Sequence, residues 1–242
     1  MKKDDSFIQD TKQDKEDKAK NPVQYYVKFS FMITYVLLLT TATITFIEAM
    51  RTQTPQIRHV LNLETCISVV AGYFYSVFVT KIEEYGKADK VIDWADITKT
   101  RYIDWCITTP MMLLVLCIVL GMNSNVNVKL PVILTIVVLN YFMLYVGYLG
   151  ESKQMGRFMA MVLGFIGFFV MFSIIFITFV SPKYLLDNYI LYGLYLFVWG
   201  VYGIAYMMKE EYKNIIMNIL DCTSKCLIGL GLWLYYTKIV RL

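Results

Sequence analysis

Seven stretches of this chain are each long and apolar enough to cross a lipid bilayer, at about residues 25–50, 60–80, 101–121, 130–150, 158–180, 187–208 and 214–237. About 20 mostly apolar residues span the hydrocarbon core as an α-helix. A backbone without water must satisfy its own amides, so runs of this length read as helices. The run from Phe158 to Val180 carries no charge, and charged residues make up only 17% of the 242, against roughly a quarter in an ordinary soluble domain. The linkers are short, which predicts one compact all-α bundle: a seven-helix integral membrane domain over residues 23–242, multi-pass and in contact with lipid.

The amino-terminal end is different. Residues 1–21 hold six Lys against six acids and almost nothing apolar, so 1–22 reads as a polar, charged tail. No apolar region precedes residue 23, as a secretory signal would require. A net charge of +4 gives no reason to expect nucleic acid. The five cysteines, at 66, 106, 117, 222 and 226, fall within the spans without metal spacing, and a helix-buried thiol behaves as a small hydrophobe. The one histidine, His59, sits at a span edge. No metal site and no nucleophile–base constellation is expected, and so no enzyme.

By span parity the amino terminus shares one side of the membrane with loops 81–100, 151–157 and 209–213. That side holds more Lys and Arg than the other, whose basic residues are Arg51, Arg58, Lys129, Lys183, Lys238 and Arg241. The positive-inside rule leans toward a cytoplasmic amino terminus, but each basic loop also carries acids, which leaves the count near neutral.

The last span contains "NILDCTSKCLIGLGLW", with Asp221 and Lys225 one helical turn apart and Lys225 near the centre. An ionisable group at that depth costs several kcal/mol unless it faces the bundle interior and is paired. An intrahelical salt bridge is one reading. The other is chemical: a desolvated lysine amine condenses with aldehydes to an imine, and the protonated imine then needs a fixed carboxylate. The third span, "RYIDWCITTPMMLLVLCIVLG", puts Arg101, Asp104 and Thr108 on one stripe. Odd spans share polarity, so Asp104 and Asp221 lie on the same side of Lys225, with Arg101 further out. Two carboxylates, an arginine and a protonated imine balance in charge.

The segments "RYIDWCITTP", "YVGYLGE", "WGVYGIAY" and "LDCTSKCLIGLGLW" resemble helices three, four, six and seven of the microbial (type I) rhodopsins, the proteorhodopsin and bacteriorhodopsin family. The resemblance covers nearly the whole chain after residue 25. It implies a seven-helix bundle with an extracellular amino terminus and all-trans retinal bound covalently to Lys225 as a protonated Schiff base. Asp104 is then counter-ion and proton acceptor, Asp221 the second counter-ion, Arg101 the switch arginine, and Thr108 the hydrogen-bond partner of Asp104. Glu210 and Glu211 become candidates for proton release. Trp105, Trp199 and Tyr202 resemble the family's aromatic sandwich, with Tyr102, Thr109, Met112, Met143, Gly147 and Tyr206 around it. The resemblance also implies a homo-oligomer, trimer or pentamer. Met112 takes the place that separates green from blue proteorhodopsins, which implies green absorption.

Two positions depart from the pattern. Gly203 stands where the family has a proline. Val115, eleven residues after Asp104 and nearly on its stripe, stands where outward pumps carry a donor acid. A missing donor is typical of sensory members and of some channels. Glu64, in "VLNLETCISVVAGYFYS", is a candidate replacement: a donor moved by one helix, a gate in a cation path, or a structural carboxyl that reaches the headgroups or bonds a neighbouring helix. This second helix, beside a donorless third, also resembles the rhodopsins of giant algal viruses. The channel-like group there tends to carry Asn two positions either side of the lysine, whereas this chain has Thr223 and Leu227, which favours a pump. A light-driven outward proton pump is the leading expectation. A light-gated cation channel, with protons or monovalent cations as its ions, and a sensory photoreceptor are the alternatives, although no transducer region follows within the chain.

Overall fold

The computed structural model describes residues 22–87 and 92–237. The charged tail at 1–21 and the basic residues Lys238 and Arg241 lie outside them. All regular structure among the described residues is helical, and seven helices are long and apolar enough to span a membrane. They are α1 (Pro22–Arg51), α2 (Pro55–Lys87), α3 (Trp94–Ser124), α4 (Leu130–Glu151), α5 (Arg157–Ile175, continued by a π-helical turn Phe176–Val180), α6 (Leu186–Ala205) and α7. The last is built in three parts: Glu210–Asp221, a π-helical stretch Cys222–Leu227, and Ile228–Tyr236. Pro22 therefore belongs to the first helix and not to the tail.

Consecutive helices pack as neighbours, and α1 closes the ring against α7. α3 is the most enclosed helix and also touches α6. The outward faces are apolar, with Phe29, Val138, Phe169 and Phe197 among the exposed side chains, as expected where the surrounding solvent is lipid and not water. The face where α1 begins, called here the first face, also holds the starts of α3, α5 and α7. The ends of α1, α3, α5 and α7 lie at the opposite face.

Two helices run further than hydropathy suggests. Residues 81–87 and 94–100, expected in a loop, are helical extensions of α2 and α3. Asp93 caps α3 by accepting from the amides of Ala95 and Asp96, satisfying donors that would otherwise be orphaned. Lys81 then ties the two extensions, with an ion pair to Asp96 at 2.7 Å and a hydrogen bond to Thr100 at 2.9 Å. Polar side chains stabilise these turns, so a hydropathy window stops short of them. Inside α3, Pro110 has no N–H to offer the carbonyl of Cys106. The Tyr141 hydroxyl, from α4, donates to that carbonyl at 3.1 Å. This is the kind of substitution a membrane helix needs at an internal proline.

Candidate functional site

The bundle centre gathers the charges read from the sequence. Lys225 Nζ donates to Asp104 Oδ2 at 2.8 Å and lies 3.6 Å from Asp221 Oδ1, and all three residues are buried. A π-helical stretch, wider than an α-turn and frequent at functional sites, carries Lys225. Nothing in the sequence signals it.

The two carboxylates differ in how they are held. Asp221 accepts four hydrogen bonds: from Tyr202 at 2.6 Å, Tyr75 at 2.7 Å, Arg101 at 3.1 Å and Trp105 Nε1 at 3.2 Å. Asp104 is bonded to Lys225 alone, and its Oδ1 has no partner. Thr108, expected to hydrogen-bond Asp104, does so through the Asp104 main-chain carbonyl at 2.9 Å, the local bond that a helical threonine makes to the residue one turn back. Arg101 is buried and spans from Asp221 toward the first face, donating to Asn218 at 2.7 Å and Asn214 at 3.1 Å. The faces of Phe31, Phe78 and Trp105 lie 5.2–5.9 Å from its guanidinium and shield it. Tyr75, Asn214 and Asn218 were not singled out by sequence reasoning. A polar side chain among aromatics gives no signal until the pairing of α2, α3 and α7 is known.

From Lys225 a slot extends toward α5, with about 820 Å³ of empty space including its mouth. Every expected wall residue lines it: Tyr102, Trp105, Thr109 and Met112 from α3, Met143 and Gly147 from α4, and Trp199, Tyr202 and Tyr206 at the end of α6. The far wall, Ala160, Met161, Gly164, Phe165 and Phe168 from α5, was missed, because a uniformly apolar helix does not reveal which face is inward. Gly203 has a packing reason: a Cβ there would collide with the ring of Phe165. An apolar slot ending at a buried amine beside two carboxylates fits a long, conjugated aldehyde joined to that amine.

Glu64 lies apart from this cluster. It is 3% exposed and makes no hydrogen bond or ion pair with any described residue, so it does not reach the headgroups. Its carboxyl abuts α7 beside Gly229, where a Cβ would come within 2.8 Å of Oε2. Gly229 is one turn past Lys225, toward the opposite face from Asp104. Val115, also buried, offers no acid. Thr223 donates to its own helix at Ile219, and Leu227 is 60% exposed.

At the first face, Glu210 is ion-paired with both Lys213 and Arg157, and Glu151 with the same two cations. Glu211 is half-buried beside this network. Lys213 is 1% exposed and was not anticipated.

Residues 25–239 match the family model described as bacteriorhodopsin-like protein. A green-light absorbing proteorhodopsin from Gamma-proteobacterium EBAC31A08 is 23% identical over 223 residues, 86% of this chain and 85% of that protein. Among solved structures, viral rhodopsin OLPVRII is 42% identical with a TM-score of 0.81, covering 89% of this chain and 99% of its own. Xanthorhodopsin, a light-driven ion pump with dual chromophore, superposes with a TM-score of 0.73 at 19% identity, covering 88% and 92%.

Proposed function

The chain belongs to the bacteriorhodopsin-like family of multi-pass integral membrane proteins, and from that premise we propose that it is a light-driven outward proton pump working through Lys225 and Asp104. The observation that carries the reading is the 2.8 Å contact of Lys225 Nζ with Asp104 Oδ2 at the end of an apolar slot. Lys225 would hold retinal covalently through Nζ, and the bound retinal would supply the light absorption and the isomerisation.

The chain's own residues supply the rest. The aromatic walls of α3 and α6 orient the bound group and exclude water from Nζ. The proton on Nζ passes to Asp104 because that carboxylate is free to take it: its second oxygen is unpartnered. Asp221 would have to give up charge-assisted bonds from four donors, so it stays as the fixed counter-charge, with Arg101 beside it. Return of a proton to Nζ must come from the other side of Lys225. Glu64, buried level with the turn past Lys225 and in no ion pair among the described residues, is the group suited to hold that proton.

Illuminated cells containing the protein should acidify their medium, and an uncoupler should abolish the change. Light that leaves the medium unchanged would refute pumping. Glu64→Gln should slow the return of the proton to Nζ, followed by flash absorbance, by about 10²-fold, and added azide should restore it. A rate that Glu64→Gln leaves untouched would make Glu64 structural. The second reading is a light-gated cation channel, favoured by the same unpaired Glu64 near the Thr45–Thr65 hydroxyl bridge of 2.8 Å. Photocurrents that reverse sign with membrane voltage and vanish in Glu64→Gln would establish it.

A further inference from the structure

Hydroxyls on a membrane helix usually donate to a carbonyl of their own helix, three or four residues back. On α2, Thr65 donates to Leu61 at 2.8 Å, Ser76 to Tyr73 at 2.7 Å and Thr80 to Ser76 at 3.0 Å. On the facing side of α1, Thr41 and Thr45 do the same. Ser68 does not. It is fully buried, and its Oγ has no partner, although a buried polar group left unbonded is costly.

Its place in the fold gives that hydroxyl a use. Glu64, Ser68, Ala71 and Tyr75 are spaced as one stripe of α2, and all four are buried. Both ends of the stripe rest on α7: Tyr75 donates to Asp221 at 2.7 Å, and the Glu64 carboxyl abuts Gly229. Between them, Ala71 shares a cluster with Cys226, the neighbour of Lys225. α2 and α7 run antiparallel at about 1.5 Å per residue. Ser68 is four residues from Glu64, and Lys225 is four residues from Gly229 in the matching direction, so Ser68 stands level with Lys225.

Resting on the reading of Glu64 as donor, we propose that Ser68 is the relay through which the proton of Glu64 reaches Lys225 Nζ. The Glu64 O–H bond breaks, and its proton passes to Ser68 Oγ through one water. The proton of Ser68 moves on to Nζ in the same concerted step. Ser68 ends as the neutral hydroxyl it began as, and Glu64 ends as a carboxylate that refills from the opposite face. No electron changes owner.

Ser68→Ala should slow the return of the proton to Nζ by at least about tenfold, while the absorption maximum and the protonation rate of Asp104 stay at wild-type values. Ser68→Gly, which removes the same hydroxyl, should slow it equally, and azide should bypass both. In the dark, and also in protein without retinal, the infrared carbonyl band of Glu64 should shift in Ser68→Ala as the carboxyl loses the water that joins it to the hydroxyl. If Ser68→Ala returns the proton at the wild-type rate while Glu64→Gln is slow, the relay is wrong and Glu64 works through water alone. If neither variant is slow, the donor reading itself has failed and the relay falls with it. An unshifted Glu64 band also overturns the relay.

Discussion

Lys225, Arg101, Asp104 and Asp221 are four buried charges that cancel in pairs, with Lys225 against Asp104 at 2.8 Å and Arg101 against Asp221 at 3.1 Å. Removing one partner of such a pair leaves the other uncompensated at about 3–5 kcal/mol, so each residue holds the rest in register. Two predictions belong here. Lys225→Ala should give a colourless protein even with all-trans retinal supplied, because Lys225 is the amine at the end of the slot; visible absorption in that variant would overturn the covalent attachment. Asp104→Asn should still form a pigment, since Asp221 remains 3.6 Å from Nζ, but its absorption should move to the red of the wild type. The carboxylate stabilises positive charge held at Nζ, and light spreads that charge away from it. Acid titration of the wild type should reproduce the shift, whereas an unchanged colour would make Asp221 the dominant counter-ion. These four residues were legible in the sequence because a charge within an apolar run has few explanations. The bond made by Thr108 was not, since choosing between the carboxylate and the main-chain carbonyl of Asp104 needs coordinates.

At the scale of elements, seven spans could be counted from hydropathy, but which faces meet could not. The inward face of α5 and the π-helical stretch of α7 carry no compositional mark. Neither does the tie that joins the first-face ends of α4, α5 and α7. There Lys213 Nζ lies 2.9 Å from Glu151 and 2.7 Å from Glu210, while Arg157 reaches the same two acids at 3.0 and 3.2 Å. Lys213 and Glu151 have side chains only 2% and 6% exposed, so water screens this pair poorly, unlike an ordinary surface pair. Lys213→Met should therefore lower stability by about 3 kcal/mol, seen as an earlier loss of folded protein on heating. Adding Glu151→Leu should recover most of that loss, because Arg157 then faces one acid and not two. A double variant as unstable as the single one would mean that the cost lies in lost packing and not in charge.

For the whole molecule, orientation and direction of transport are one question. Asp221 precedes Lys225 on a helix that starts at the first face, and Asp104 lies early in α3, which starts at the same face. Glu64 abuts α7 on the far side of Lys225. A proton that leaves Nζ for Asp104 and is replaced from Glu64 therefore travels toward the first face, whichever compartment that face meets. Charge counting leaned toward a cytoplasmic first face and the rhodopsin resemblance toward an extracellular one. The acids interleaved with the basic residues of the first-face loops explain why the count is weak. Outward pumping requires the extracellular arrangement. In intact cells, an epitope fused to the amino terminus should bind antibody without permeabilisation, and the same cells should acidify their medium in the light. A tag accessible only after permeabilisation, in cells that still acidify the medium, would mean that protons move away from Asp104 and toward Glu64, and would reverse the donor and acceptor roles assigned to these two residues.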